Sequence, residues 1–291
     1  MPQIVTSEQV SLHVHRLELP TNTLPPAATT NAYLIAAHGQ GLLVDAGTDD
    51  STVIQHVLEH AQAVGVQHWL GVIATHYHTD HTDGLLKLAD TVSAPAYLHP
   101  RDFPAYLREH AERPLPWTAL LREFIVNDLR VDIVDAPGHT HGHIHVAIPS
   151  DRVVLVGDSL TAAGTVWIGA PDGHMDAYYA TLDDLATRTD WKAAPGHGQM
   201  LANAAEAALR MKQRRLQRET QILHMATTET PVSMTEMLER LYPDLPEAAV
   251  PFARRTLLAH AEHLEQQGLL ERIYMGSPLQ YHFLKAVNPQ T

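Results

Sequence analysis

Residues 75–84 read THYHTDHTDG and follow directly on the apolar run GVIA at 71–74. His76, His78, Asp80 and His81 place four ligand-capable side chains within six positions. A chain that does this at the end of a buried run must leave those groups in solvent or gather them around positive charge. In an extended segment, period-two alternation sends His76, His78 and Asp80 to one side. If a helix then begins near Thr82, Asp80 and His81 diverge toward a second point. That geometry serves two adjacent cations. It differs from HExxH, where both histidines share one helix face. A lone histidine is more simply a solvated loop residue, but a complete H-x-H-x-D-H string is far more specific.

Composition narrows the chemistry. The 291 residues contain no cysteine, which removes disulfides, thiolate nucleophiles and thiolate metal ligands together. Twenty-one histidines exceed what any metal site needs, so spacing must select the ligands. A formal net charge of -13 argues against nonspecific nucleic-acid binding over the whole surface, though not against a local basic patch. The opening MPQIVTSEQV has neither a basic start nor a long apolar stretch. No export signal is therefore expected, and a cytoplasmic location is the default. No apolar run is long enough to span a bilayer.

Along the chain, 11–19 alternates as a strand, and 31–47 reads as two strands joined at His38-Gly39-Gln40-Gly41. Val53, Ile54, Val57 and Leu58 have helical spacing within 51–65. A buried strand is predicted at 69–74, a helix from 82, a strand at 94–99 and a helix around Pro104. Residues 113–124, with Pro114 and Pro116, read as an insertion over the site. Further strands are predicted at 130–136, 143–150, 152–159 and 165–169, and a helix at 176–188. Two similar α/β halves fit this order better than a simple βαβ alternation. Beyond Gly198 come a long helix at 201–226, a hinge at 227–231, helices at 233–242 and 247–268, and a hairpin at 269–284. Helices followed by a hairpin have the look of a winged-helix module. The predicted division is 1–226, including the long helix, and 227–291.

More ligands stand at later strand ends. His139 lies in DAPGHTHGH, Asp158 in VVLVGDSL and His197 in AAPGHG. Singly each is weak, since Asp158 alone would more simply be a cap or turn residue. In this order, behind the first motif, they form a pattern.

The set THYHTDH, GHTHGH, VGDS and PGHG resembles the metallo-β-lactamase superfamily. The C-terminal part resembles its β-lactamase-like protein 2 branch, which carries a small winged-helix-like domain. The resemblance implies an α/β fold, a four-layered αβ/βα sandwich, followed by that module. It implies that His76, His78 and His139 hold one divalent cation. Asp80, His81 and His197 would hold a second, with Asp158 bridging. Asp45, in VDAG, matches a supporting aspartate, and His143 a position near the site but outside the ligand set. His141 stands where many relatives have proline.

An N/O ligand set of five imidazoles and two carboxylates suits two zinc ions, with manganese or iron also fitting. The expected reaction is hydrolysis by metal-bound hydroxide, with Asp80 also orienting the nucleophile. A pocket floor left positive favours an anionic substrate or a developing oxyanion. The branch implies an endoribonuclease on single-stranded RNA. Arg210, Arg214 and Arg218, at i, i+4 and i+8, supply a stripe for phosphates whose plain alternative is a solvated helix face. The alternative enzyme is a thioester or lactone hydrolase of the glyoxalase II type, with Trp117, Trp167, Met175 and Tyr178 as an apolar pocket. A third alternative is a metal-dependent nucleic-acid-binding regulator without hydrolysis. The stretch 231–291 holds five Lys and Arg against seven Asp and Glu, so it reads as wall, lid or homodimer contact rather than a DNA reader.

Overall fold

The computed structural model describes residues 6–23, 27–110, 117–276 and 280–286. The first sheet takes its strands in chain order. They are β1 (Thr6–Gln9), β2 (Val14–Pro20), β3 (Thr29–Ala37), β4 (Gln40–Val44), β5 (His68–Ile73), β6 (Ala96–Leu98) and β7 (Trp117–Ala119). β1 to β4 pair antiparallel, whereas β4 to β7 pair parallel. Parallel neighbours need crossovers. These are α1 (Ser51–Ala63), then α2 (Thr79–Thr82) with α3 (Leu85–Val92), then α4 (Phe103–Glu109). Asp50 starts α1 by accepting the backbone N–H groups of Thr52 and Val53.

The second sheet runs β12-β11-β10-β9-β8 from β8 (Glu123–Val126), β9 (Leu129–Asp135), β10 (Ile144–Ile148), β11 (Val153–Gly157) and β12 (Lys192–Pro195). Helix α5 (Met175–Ala186) crosses from β11 to the parallel β12, and α6 (Ala204–Met225) follows.

Side-chain alternation builds the layers. On β3, Ala32 and Leu34 pack with α1 and α3, while Tyr33 and Ile35 pack between the sheets. On β11, Val153 and Leu155 face the space between the sheets, and Val154 and Val156 face α5 and α6. Helix, sheet, sheet and helix therefore stack in four layers. A strand buried on both faces reads as a continuous apolar run, as β11 does.

The C-terminal part comprises β13 (Val232–Ser233), α7 (Met234–Leu241), α8 (Val250–Gln266), β14 (Leu270–Met275) and β15 (Gln280–Lys285). Its sheet order is β13-β15-β14. Ser233 and Glu236 form a capping box at the start of α7.

Two local expectations are corrected. Residues 165–169 form no strand. Val166 and Ile168 are buried, but the Val166 carbonyl accepts from the Arg215 guanidinium and the Trp167 carbonyl from His139 Nδ1 at 2.6 Å. Side chains thus use the acceptors a ladder would need. Nor is 113–124 an irregular insertion over the site. Its first four residues lie outside the described residues, but β7 extends the first sheet and β8 begins the second. Phe124 and Val126 alternate into the core between the sheets, a short pattern hidden behind two prolines.

Candidate metal centre

Every predicted ligand stands where a strand ends. β5 delivers His76 and His78, and α2 turns Asp80 and His81 away from them; His78 is the N-cap of α2. The link from β9 to β10 carries His139, and Asp158 and His197 follow β11 and β12. The ligand atoms form three overlapping groups: His76 with His78 and His139, His76 with His81 and Asp158, and Asp80 with His81 and His197.

In the first group, His78 Nδ1 lies 2.9 Å from His76 Nε2 and 3.0 Å from His139 Nε2. The hydrogen-bond network assigns the protons. His139 Nδ1 donates to the Trp167 carbonyl, so its Nε2 presents a lone pair. Thr75 Oγ1 donates to Asp45 and accepts from His76 Nδ1 at 3.0 Å, so His76 Nε2 also presents a lone pair. Three nitrogens thus converge with at most one proton among them. Tetrahedral ligation at about 2.0–2.1 Å separates neighbouring nitrogens by about 3.3–3.4 Å, close to this spacing. Burial pushes the His76 and His139 rings well below and below their ordinary value, and burial with His139 takes His78 to about 3. All three are neutral donors.

The second and third groups have the opposite field. Asp158 Oδ1 lies 3.5 Å from both His81 Nε2 and His197 Nε2, while Oδ2 turns to His139 Nε2 at 3.7 Å. Its carboxylate therefore reaches from His81 and His197 to His139 of the first group. Asp80 Oδ2 is 3.4 Å from His197 Nε2. Burial opposes ionisation of Asp158, but His197 and His81 hold it well below the usual carboxylate range. Conversely, burial would lower His197, yet Asp158 and Asp80 raise it to about 10; burial would lower His81 too, but Asp45, Asp158 and Asp80 hold it well above its ordinary value. Those carboxylates call for positive charge, which a cation supplies while leaving the imidazoles neutral. His81 Nδ1 is held by Asp45 at 2.8 Å and His197 Nδ1 by the Thr29 carbonyl at 2.9 Å. Both rings thereby turn Nε2 inward. A Cβ on Gly196 would lie 2.5 Å from Asp158 Oδ1 and 2.6 Å from His81 Cε1, so only glycine leaves this space. The donor set fits two divalent cations.

Supporting residues divide into those legible in sequence and those that were not. Asp45 accepts from the Thr75 backbone and hydroxyl as well as from His81. His143 stacks on His76 with ring centroids 5.1 Å apart and accepts the Asp158 N–H at 3.1 Å. Thr75 was passed over, as was Asp102. Asp102 is 1% exposed and accepts from the Tyr77 N–H, the Thr140 hydroxyl and the Gly142 N–H, tying together the two ligand loops. No local pattern marks it. His141 is exposed and meets His174, Nε2 to Nε2, at 3.3 Å.

The arginine row is not one free face. Arg210 and Arg214 are exposed, but Arg218 donates to the Leu241 carbonyl at 3.2 Å and lies 4.3 Å over the Tyr242 ring. Of the four aromatic and apolar residues expected to line a pocket, Met175 and Tyr178 are core. The Trp117 side chain lies outside the described residues. Trp167 does stand at the site, its ring 6.1 Å from His78 and 6.2 Å from His139. Phe252 of α8 packs against it edge-on at 5.8 Å, and the Trp167 indole donates to the Phe252 carbonyl at 3.3 Å.

A four-layered sandwich with this ligand array at one end defines a metal-dependent hydrolase. Residues 26–197 match the model of the metallo-beta-lactamase superfamily, and the chain belongs to that superfamily. Residues 233–275 match the beta-lactamase associated winged helix domain. The beta-lactamase-like protein 2 homolog of Caenorhabditis elegans is 23% identical over 246 residues, covering 83% of this chain and 80% of that protein. A hydroxyacylglutathione hydrolase of Ruegeria pomeroyi is 33% identical over 171 residues, covering 58% and 62%. Among solved structures, a beta-lactamase domain protein from Burkholderia ambifaria superposes with a TM-score of 0.81 at 18% identity, covering 96% of this chain and 93% of that one. Among the described residues, no helix is long and apolar enough to cross a membrane.

Proposed function

We propose that this metallo-hydrolase cleaves a small acyl substrate, a thioester or lactone, at a centre of two divalent cations. The ligands are His76, His78 and His139 for one and Asp80, His81 and His197 for the other, with Asp158 between. The observation that carries the acyl reading is the aromatic wall of Trp167 on Phe252 beside the first group. It offers apolar surface to an acyl chain where a nucleic-acid strand would want cations. Zinc, manganese or iron would suit the ligand set, and what such ions supply when bound is a water acidified toward neutrality and a polarised carbonyl. The Asp80 carboxylate, kept ionised by His81 and His197, orients the attacking water as well as serving as a ligand. Trp167 also fixes the His139 ring, so one residue both orients a ligand and lines the acyl side.

Exposed Arg210 and Arg214 favour the second reading, single-stranded RNA. The test pairs a hydroxyacylglutathione, followed by thiol release, with a quenched fluorescent RNA. Metal-loaded protein is run beside metal-stripped protein and Asp158→Ala. Thiol release that falls at least about tenfold in both controls, without RNA cleavage, is expected. RNA cleavage with the same control dependence and no thiol release would reverse the order of the two readings.

A further inference from the structure

His141 and His174 belong to neither ligand group, yet they converge. His141 follows metal ligand His139 by two positions, and His174 stands at the start of α5. Both are exposed. Their Nε2 atoms face one another at 3.3 Å, with ring centroids 4.5 Å apart.

Local structure does not ask for a histidine at the second position. His174 is the N-cap of α5, a place that Ser, Thr, Asp or Asn fill best because their side chains accept an N–H of the first turn. The His174 ring makes no such bond and turns to His141 instead.

The backbone beneath both rings is fixed. Thr140 and Gly142, on either side of His141, are tied to buried Asp102 at 2.8 and 2.6 Å. The His174 N–H donates to the Gly138 carbonyl at 2.9 Å, which joins the two loops. Gly138 lies so close to α5 that a Cβ there would stand 2.5 Å from Tyr178 Cα. The two rings are thus presented together by main chain that is held independently of them.

The spacing suits a shared cation. Hydrogen bonds from N–H groups usually measure about 2.7–3.2 Å, whereas two nitrogens on one tetrahedral cation at about 2.0–2.1 Å stand about 3.3–3.4 Å apart. The charge suits it too. Burial and the His141 ring lower His174, which leaves it a neutral donor, while Glu262, Asp172 and Asp176 surround it with negative charge. Those carboxylates have partners of their own. Asp172 accepts from the Tyr77 hydroxyl at 2.7 Å, Asp176 lies 3.2 Å from His263 Nε2, and Glu262 lies 3.7 Å from the Arg272 guanidinium. Among the described residues, no third histidine or carboxylate joins the pair within ligand range, so water completes the coordination.

We infer that His141 and His174 hold a third divalent cation, of the zinc, nickel or copper class, more weakly than the metal centre holds its two. Imidazoles select these ions over magnesium and calcium, which take oxygen ligands. Two protein ligands in place of three or four set the lower affinity. Bound there, the cation joins the loop of His139 to the loop of Trp167, whatever bond the enzyme cleaves.

The test is equilibrium dialysis of the intact protein against buffered free zinc, with bound zinc counted by elemental analysis. His174→Asn removes one ligand and supplies a preferred N-cap. His141→Gln removes the other from an exposed position. His38→Gln removes an exposed histidine elsewhere. Two zinc ions are expected to bind first and a third at higher free zinc. The third should weaken at least about tenfold in His174→Asn and in His141→Gln, since even an outer hydrogen bond of a metal ligand is worth that much. It should be unchanged in His38→Gln and in excess magnesium, and the first two should persist in every variant. Saturation at two ions would overturn the inference. So would a third ion that survives both substitutions, is lost equally in His38→Gln, or yields to magnesium. Loss of all three ions together in His174→Asn or His141→Gln would also overturn it, because the residue would then serve the metal centre itself.

Discussion

Asp45 carries more of the metal centre than its distance from the histidine motif implies. One of its oxygens accepts the Thr75 N–H, and the other accepts both the Thr75 hydroxyl and His81 Nδ1. Asp45→Asn has one oxygen for three donors and brings an N–H₂ that opposes them. It also suits the positive φ of 64° at this position, so the backbone should persist. Metal affinity should fall about 10–100-fold, as is usual when a ligand's outer hydrogen bond is lost. Chelator competition would measure it, and unchanged affinity would remove Asp45 from the supporting role. At this scale the candidate ligands His76, His78, Asp80 and His81 stand out because a short spacing holds them together, whereas His139, Asp158 and His197 are singly weak and are picked out by their order and the resemblance. Thr75 and Asp102 do not stand out, because their roles come from contacts across the fold. Asp102 meets Thr140 and Gly142, about 40 positions away, and nothing near Asp102 in sequence announces them.

Between elements, the polar knot joining α6 to α8 sets a pH dependence. Glu219 on α6 receives Tyr179 of α5 at 2.7 Å and His260 and His263 of α8 at 3.1 and 3.0 Å. Burial lowers His260 to about 4 against an ordinary 6.5, and the nearby Arg215 and Arg218 act in the same direction, while Glu219 opposes them. The unfolded chain therefore takes up the proton first. This contribution is complete above pH 6.5 and is lost as pH falls toward 4, about 3 kcal/mol in all. Denaturant unfolding of wild type and His260→Gln between pH 7 and 4 should show their difference shrinking by about that amount. Parallel pH profiles would sink the assignment. The elements themselves show where periodicity suffices. α1, α6 and β11 follow from spacing, whereas residues 165–169 look like a strand and are instead held by Arg215 and His139. Hydrophobic pattern reports burial correctly there, but not which partner takes the carbonyls.

For the whole molecule, the boundary predicted at residue 226 meets a helix that serves both sides. The first half of α6 puts Ala204, Ala207, Ala208 and Met211 into the core beneath the second sheet. Its last turn and the C-cap that follows put Ile222 and Ala226 into the C-terminal core with Met237, Leu257 and Phe283. In return, α8 lends Ala259 to the catalytic side, and Phe252 backs Trp167 at the metal centre. Ending the chain at 226 would uncover Ile222, fully buried in the intact protein, and strip Glu219 of its two histidine partners. Exposing a large aliphatic side chain forfeits about 1.5–3 kcal/mol, and the bared helix face would be an association surface. The intact protein should accordingly unfold in one transition, and the truncated chain should melt lower and self-associate. Calorimetry and light scattering would show it. Two separate transitions in the intact chain, or a monomeric truncation with an unchanged midpoint, would mean that the C-terminal domain is an appendage. The Trp167–Phe252 wall would then have to be judged by Phe252→Ala alone.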